Sequence, residues 1–307
     1  MIGDKILKYK KISFGVSIFF VAISLCLVAF KGMHKSVEFV GGTLIEIKSS
    51  NPINLDIFNE KLSEQIKNID KKLTFSSQIS EERFVTIRFP LTENISKLEL
   101  IKDSIGIVLK NDPFTFERID NIGPQVSQEI AKQSIMAILF AFMAIAVYMS
   151  IRFNKHFAIS GVLVLVQDVI ISAGFVSFFK LEFDLTMMAA FLTIIGYCIN
   201  DTVVIYDRIR YNLMSNLSKT VSFCVGLGIQ QTIKRSIITS VVTLLAVFGI
   251  LFFHNESIRN FGIVVGFGII IGTFGSIFVA SVLPVIIGLQ PYKIKENKPV
   301  DPLFYTS

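Results

Sequence analysis

The sequence predicts an α-helical polytopic membrane protein with six transmembrane helices plus one exported α+β domain of ferredoxin-like βαββαβ order. Three observations carry this reading. Of 307 residues, 52% are hydrophobic and only 18% charged, with a mean hydropathy of +0.62, whereas soluble domains average about 45–50% and about 25%. Six apolar runs approach the roughly 20 residues that cross a bilayer. Lys and Arg are divided unevenly between the segments that join those runs.

The first element, residues 1–30, pairs Lys5, Lys8, Lys10 and Lys11 with the apolar run Ile12–Phe30. A signal peptide and a permanent anchor share this pattern. The run exceeds the about 7–15 residues of a signal core and no small-residue cleavage pattern follows it, so an anchor is expected. Leu25 ahead of Cys26 argues against a lipoprotein signal.

Residues 31–133 change from continuous to periodic hydrophobicity. Val37–Ile47 reads as extended around Gly41-Gly42, which suits a bulge or tight turn. Ile53, Ile57, Leu62 and Ile66 recur at helical intervals, Leu73–Ile79 is a short strand, and Val85, Ile87 and Phe89 alternate with Thr86 and Arg88. Leu98, Ile101, Ile105 and Val108 form a second helical stripe, and Phe114–Ile119 closes the domain as a strand. The βαββαβ order is that of a split βαβ unit. It names no function by itself.

Residues 134–290 hold five further spans, near 134–151, 157–179, 184–206, 236–253 and 261–288, and 291–307 form a polar tail. Six crossings return the chain to its starting side. That side collects Lys5, Lys8, Lys10, Lys11, Arg152, Lys155, Arg208, Arg210, Lys219, Lys234, Arg235, Lys293, Lys295 and Lys298, whereas the opposite short loops hold only Lys180 and Arg259. The positive-inside rule makes the basic side cytoplasmic and sends 31–133 out of the cytoplasm.

The 31–133 segment carries 14 basic and 15 acidic residues, so the net charge of +6 belongs to the membrane part. No basic face is left for nucleic acid. The three cysteines (Cys26, Cys198, Cys224) and three histidines (His34, His156, His254) show no metal-ligand spacing and no exported disulfide framework. With no P-loop and no Ser/His/Asp grouping, no cofactor, metal or enzymatic activity is expected.

Two carboxylates interrupt the apolar spans. Asp168 sits near the middle of 157–179, where an acid costs about 2.5–3.5 kcal/mol on insertion scales. Asp201 lies on a stripe with Thr186, Thr193, Tyr197, Asn200 and, beyond the membrane, Arg208. Ser236, Thr239, Ser240 and Thr243 form a stripe on the next span, with Thr232 and Arg235 one turn before. One reading is a proton path in which a buried carboxylate loads and releases H⁺; the other is polar glue or a static Asp–Arg pair. Arg235 alone also fits a positive-inside residue at a helix start. In the last span Gly262, Gly266, Gly268, Gly272 and Gly275 give GxxxG spacings for close packing, and Pro284 is placed to kink it.

The stretch Glu182-Phe183-Asp184-Leu185-Thr186, followed by Ile195-Gly196-Tyr197-Cys198-Ile199-Asn200-Asp201-Thr202-Val203-Val204-Ile205-Tyr206-Asp207-Arg208-Ile209-Arg210, closely resembles the SecF family of protein-export membrane proteins. Further matches are Glu38-Phe39-Val40-Gly41-Gly42-Thr43, Ile122-Gly123-Pro124-Gln125-Val126, Gln167-Asp168-Val169 and Thr232–Ser240. The resemblance spans about residues 5–290. It implies a resistance-nodulation-division architecture in the bacterial inner membrane and work with SecD beside the SecYEG channel, where the proton motive force assists late steps of preprotein export.

By motif match, Asp201 and Arg235 fall on proton-conduction positions and Asp168 on a third-span carboxylate, with Asn200 and Thr239 in the same motifs. Glu38 replaces the more usual Asp, Gln167 a common His, and Cys198 a frequent Ser; Gln167 removes a titratable neighbour of Asp168. The resemblance implies that SecD is a separate chain with its own matching membrane half, and 307 residues cannot supply both halves, so SecD is expected as an obligate partner. The alternatives are half of a proton-driven exporter of lipids or small molecules and a membrane-anchored scaffold with no ion flux, for which Asp201→Asn would be silent; Thr186, Asn200 and Asp201 on one stripe disfavour the scaffold.

Overall fold

The computed structural model of the chain describes residues 6–69, 73–80, 83–90, 95–110, 112–253 and 255–290. Lys5, His254 and the tail 291–307, with Lys293, Lys295 and Lys298, lie outside the described residues.

Six helices are long and apolar enough to cross a membrane. They are α1 (Lys10–Lys31), α5 (Pro124–Arg152), α6 (Lys155–Phe178), α7 (Leu185–Ser215), α8 (Val221–Ile250) and a last helix that begins as α9 (Glu256–Phe274). Their starts follow capping chemistry. Asp184 Oδ1 accepts the Met187 N–H at 2.7 Å, Thr220 Oγ1 that of Phe223 at 3.3 Å, and Asn255 Oδ1 that of Ile258 at 3.1 Å. Pro124 opens α5, where its missing N–H is harmless.

Two helices run well past the expected spans. Helix α7 continues to Ser215 and α8 begins at Val221, so the expected basic loop between them is mostly helix. Hydropathy marks where lipid ends, whereas the caps mark where the helix ends. Arg208 Nε donates to Gln231 Oε1 at 2.7 Å, tying the two extensions together, and Arg152 at the end of α5 pairs with Asp207 of α7 at 2.9 Å.

Helices α6, α7 and α9 form the centre: 50%, 50% and 56% of their apolar windows are buried, against 11% for each of α1, α5 and α8. Helix α1 meets α6 through small and polar residues. Ser24 packs on Gly174, leaving no room for a Cβ there, and Ser177 Oγ donates to Leu27 O at 3.0 Å. Where a Pro284 kink was expected, the last helix departs from α geometry earlier, in a π-helical turn over Gly275–Ala280, before the short α10 (Leu283–Ile286) that contains Pro284.

Between α1 and α5 lie β1 (His34–Lys35), α2 (Val37–Val40), β2 (Gly42–Ser49), α3 (Leu55–Ile69), β3 (Ser76–Ser80), β4 (Phe84–Phe89), α4 (Ile95–Val108) and β5 (Phe114–Ile122). Strands β2–β5 form one antiparallel sheet of order β3-β4-β2-β5. Ile45 and Ile47, Val85, Ile87 and Phe89, Leu62 and Ile66, and Ile101 and Ile105 close its core. Ile57, expected in the α3 stripe, is exposed, and Phe58 takes its place.

Val37–Val40 was expected extended but forms one helical turn. Gly41 and Gly42, at φ +84° and +135°, then reverse the chain into β2. A Cβ on Gly42 would stand 2.7 Å from Phe89 O. Strand β1 pairs in parallel with β6 (Glu182–Phe183), joining the exit of α1 to the approach of α7.

Candidate functional site

The polar residues of the central helices gather in two adjoining clusters around α7. In the first, Asp168 of α6 is fully enclosed, with 1% of its surface exposed. Its carboxyl lies beside the Cys198 thiol of α7, and neither carboxyl oxygen has a hydrogen-bond partner. The roof is the glycine face of the last helix. A Cβ on Gly275 would stand 2.8 Å from Asp168 Oδ1, and one on Gly272 would collide with Cys198 Sγ. Gln167 turns the other way, accepting from Ser17 Oγ of α1 at 2.5 Å, so it does not extend the Asp168 site.

In the second cluster, Asp201 is 7% exposed and lies beside Ser236 of α8, whose hydroxyl is fully buried. Neither Ser236 Oγ nor Asp201 Oδ2 has a hydrogen-bond partner. Arg235 is within electrostatic reach of Asp201, but among the described residues the two form no direct ion pair. Hydroxyls continue the seam. Tyr197 Oη donates to Ser240 Oγ at 3.0 Å, Ser240 meets Thr273 Oγ1 at 2.7 Å, and Thr202 meets Ser276 at 3.2 Å within the π-turn. Cys198, one helical turn before Asp201, touches Asp168 and feels the charge of Asp201, so it stands between the two acids.

The expected stripes divide. Asp201 and Tyr197 turn toward α8, whereas Asn200 is exposed and lines an open apolar groove with Ala144, Ile145 and Tyr148 of α5. On α8, Thr232, Ser236 and Ser240 are buried, but Arg235 and Thr239 are exposed. Thr239 Oγ1 donates to the carbonyls of Arg235 and Ser236, each at 3.0 Å. Arg208 binds Gln231 and stacks on Tyr211, so it is not the cation of Asp201.

The glycines also serve two neighbours. Gly262 faces Ile250 and Leu251 at the end of α8 and Gly266 faces Val247, whereas Gly268 packs on Ile194 and Gly272 on Cys198 of α7. Sequence reasoning did not single out Thr273 and Ser276, although hydroxyls among the last helix's glycines were a visible signal.

A third polar group joins the sheet to the entry of α7. Glu38 of α2 is buried; its Oε2 accepts the Leu185 N–H at 2.6 Å and its Oε1 accepts from Arg118 Nη2 of β5 at 2.8 Å. Arg118 also pairs with Asp120 at 2.5 Å, and Arg88 of β4 pairs with Glu182.

The model of the family described as "Protein export membrane protein SecD/SecF, C-terminal" matches residues 106–290. The chain is 37% identical over 280 residues to protein translocase subunit SecF of Rickettsia prowazekii (strain Madrid E), covering 90% of this chain and 88% of that one. It is 38% identical to protein translocase subunit SecF of Rickettsia rickettsii (strain Sheila Smith), covering 90% and 89%. Its fold matches the crystal structure of SecDF, a translocon-associated membrane protein from Thermus thermophilus, with a TM-score of 0.81 at 28% identity over 92% of this chain. SecDF in a super-membrane-facing form matches with a TM-score of 0.65 at the same identity. The chain spans 38% of the length of each SecDF chain. The chain therefore belongs to the SecD/SecF family of protein-export membrane proteins, in its SecF branch.

Proposed function

We propose that this chain is the SecF subunit of a SecD–SecF complex that uses the proton motive force to assist late steps of preprotein translocation through the SecYEG channel. It is an ion-coupled translocase subunit rather than an enzyme. The observation that carries the ion coupling is Asp201, a buried acid inside α7, with an unpartnered carboxyl oxygen, a buried hydroxyl beside it and Arg235 within reach. An acid so placed changes its affinity for a proton when a neighbouring helix shifts the hydroxyl or the cation. Asp168, separated from it by Cys198, is the second protonatable group of the path. At about 180 mV each inward proton supplies about 4 kcal/mol.

A polar surface within the membrane supports SecD as the partner. Thr193, Asn200 and Thr239 are exposed on α7 and α8 within the apolar spans, and Arg235 is exposed one turn before Thr239 at the cytoplasmic edge. A second membrane half covering this face completes the site. The division of 14 basic residues against two supports a topology with both termini in the cytoplasm, and the likeness to SecF subunits supports the bacterial inner membrane as its location. The domains are then 1–30, the exported 31–133, the bundle 134–290 and the cytoplasmic tail 291–307. The sheet order and its two helices support a ferredoxin-like exported domain, which meets the emerging preprotein.

Pulse-chase export of a secreted precursor in cells carrying Asp201→Asn, with protein level checked and small-molecule efflux followed in parallel, tests this reading. Slowed maturation with normal efflux is expected. Normal maturation with defective efflux overturns it in favour of an exporter.

A further inference from the structure

The first N–H groups of an α-helix lack partners within the helix, and a cap or water ordinarily satisfies them. At α7 the Asp184 carboxyl takes the Met187 N–H, as a cap does, but the Leu185 N–H is taken at 2.6 Å by Glu38, from 147 residues earlier in the chain. Through its other oxygen Glu38 holds Arg118 at 2.8 Å, and Arg118 stands on β5 opposite Glu46 of β2. One buried carboxylate thus joins the sheet to the helix that carries Asp201. Next to it, Arg88 of β4 pairs with Glu182, and His34 and Lys35 pair with Glu182 and Phe183, so the approach to α7 is attached to the sheet side as well.

We propose that Glu38 is a positioning residue that couples displacement of α7 at Asp201 to displacement of the β-sheet. The inference rests on the proton-driven reading above and adds the mechanical link. Asp201 lies 16 residues along α7 from Leu185, about 24 Å of continuous helix at 1.5 Å per residue. A helix of this length transmits axial shift or rotation to its end. A slide of about 1 Å stretches a 2.6 Å hydrogen bond beyond its range, so the sheet either follows α7 or the bond breaks. Both bonds of Glu38 are charge-assisted, the stronger class, and the burial of Glu38 weakens screening by salt at its end of them, although Arg118 is partly exposed. Without Glu38, α7 still shifts when Asp201 exchanges a proton, but less of that motion reaches the sheet.

The test uses the full chain in complex with SecD and the SecYEG channel, reconstituted in proteoliposomes, with proton uptake and completed precursor translocation measured on the same preparation. For Glu38→Ala we expect proton uptake within about twofold of the parent and precursor completed per proton reduced about tenfold, the weight of one charge-assisted hydrogen bond. Glu38→Asp restores most of the ratio. If Glu38→Ala fails to accumulate, the near-isosteric Glu38→Gln, which keeps an acceptor for Leu185 N–H and loses the ion pair, makes the same measurement. A parental ratio in the variants overturns the inference while leaving the ion-coupled reading intact, provided Asp201→Asn abolishes both signals. If Asp201→Asn alters neither, the reading and this inference fall together.

Discussion

Gly275 faces Asp168 so closely that a single added methyl group would stand 2.8 Å from its Oδ1. The last helix therefore touches the enclosed acid through backbone, and it does so at the start of its π-turn. Gly275→Ala should destabilise the bundle by about 1–3 kcal/mol, the usual cost of overpacking. Gly266→Ala, whose added carbon meets nothing nearer than 3.7 Å, should be close to neutral. Thermal unfolding of the two purified variants checks the contrast.

Among the described residues the Asp168 carboxyl makes no ion pair, and its one close polar neighbour is the Cys198 thiol. Asp168→Asn should accordingly fold and insert with a melting temperature no lower than the parent, while proton-driven export falls. Melting curves and pulse-chase maturation on the same variant decide it. A large loss of stability would make Asp168 a structural residue instead.

These acids were legible in the sequence because a charge inside an apolar run is conspicuous on its own. The surroundings were not. Cys198 reaches Asp168 from another helix, and Glu38 reaches Leu185 across 147 residues, contacts that no local period encodes. The same divide runs through the fold. Strand β4 is visible because Val85, Ile87 and Phe89 obey the period of a strand, whereas α8 begins 15 residues ahead of the expected span, because the polar Gln230, Gln231, Lys234 and Arg235 end the hydropathy signal without ending the helix. At Val37–Val40, β-branched residues suggested a strand, but the glycine turn at Gly41 closes a helical one.

Gly42 offers a second steric test. At φ +135° and with Phe89 O 2.7 Å from any added Cβ, Gly42→Ala is strained both in its backbone and against β4. We expect a loss of about 2–4 kcal/mol. Gly32, at φ +69° with open space around it, should lose only about 1 kcal/mol on the same change. Chemical denaturation followed by a probe in the sheet separates the two.

Glu46 sets a pH dependence. It pairs across β2 and β5 with Arg118; burial, the largest influence, raises its pKa above 4.5, with Glu182, Glu256 and Asp120 acting in the same direction and Arg118 opposing. A raised acid pKa means that the folded protein holds this proton more tightly than the unfolded chain. The ionised form therefore works against folding at higher pH, and the penalty vanishes as pH falls below the unfolded value near 4.5. Glu46→Gln should melt higher than the parent at about pH 7–8, with the difference closing by about pH 4. A difference that grows on acidification would contradict this assignment.

The central claim is that protons move through Asp201 only when the partner half completes its site. The most direct measurement is proton uptake into liposomes under an imposed inward gradient, comparing the SecD–SecF complex, this chain alone and the complex carrying Asp201→Asn. The account predicts uptake by the parental complex, and none above empty liposomes for the chain alone or for the variant. Parental uptake by the Asp201→Asn complex, or uptake by the chain alone, would contradict it.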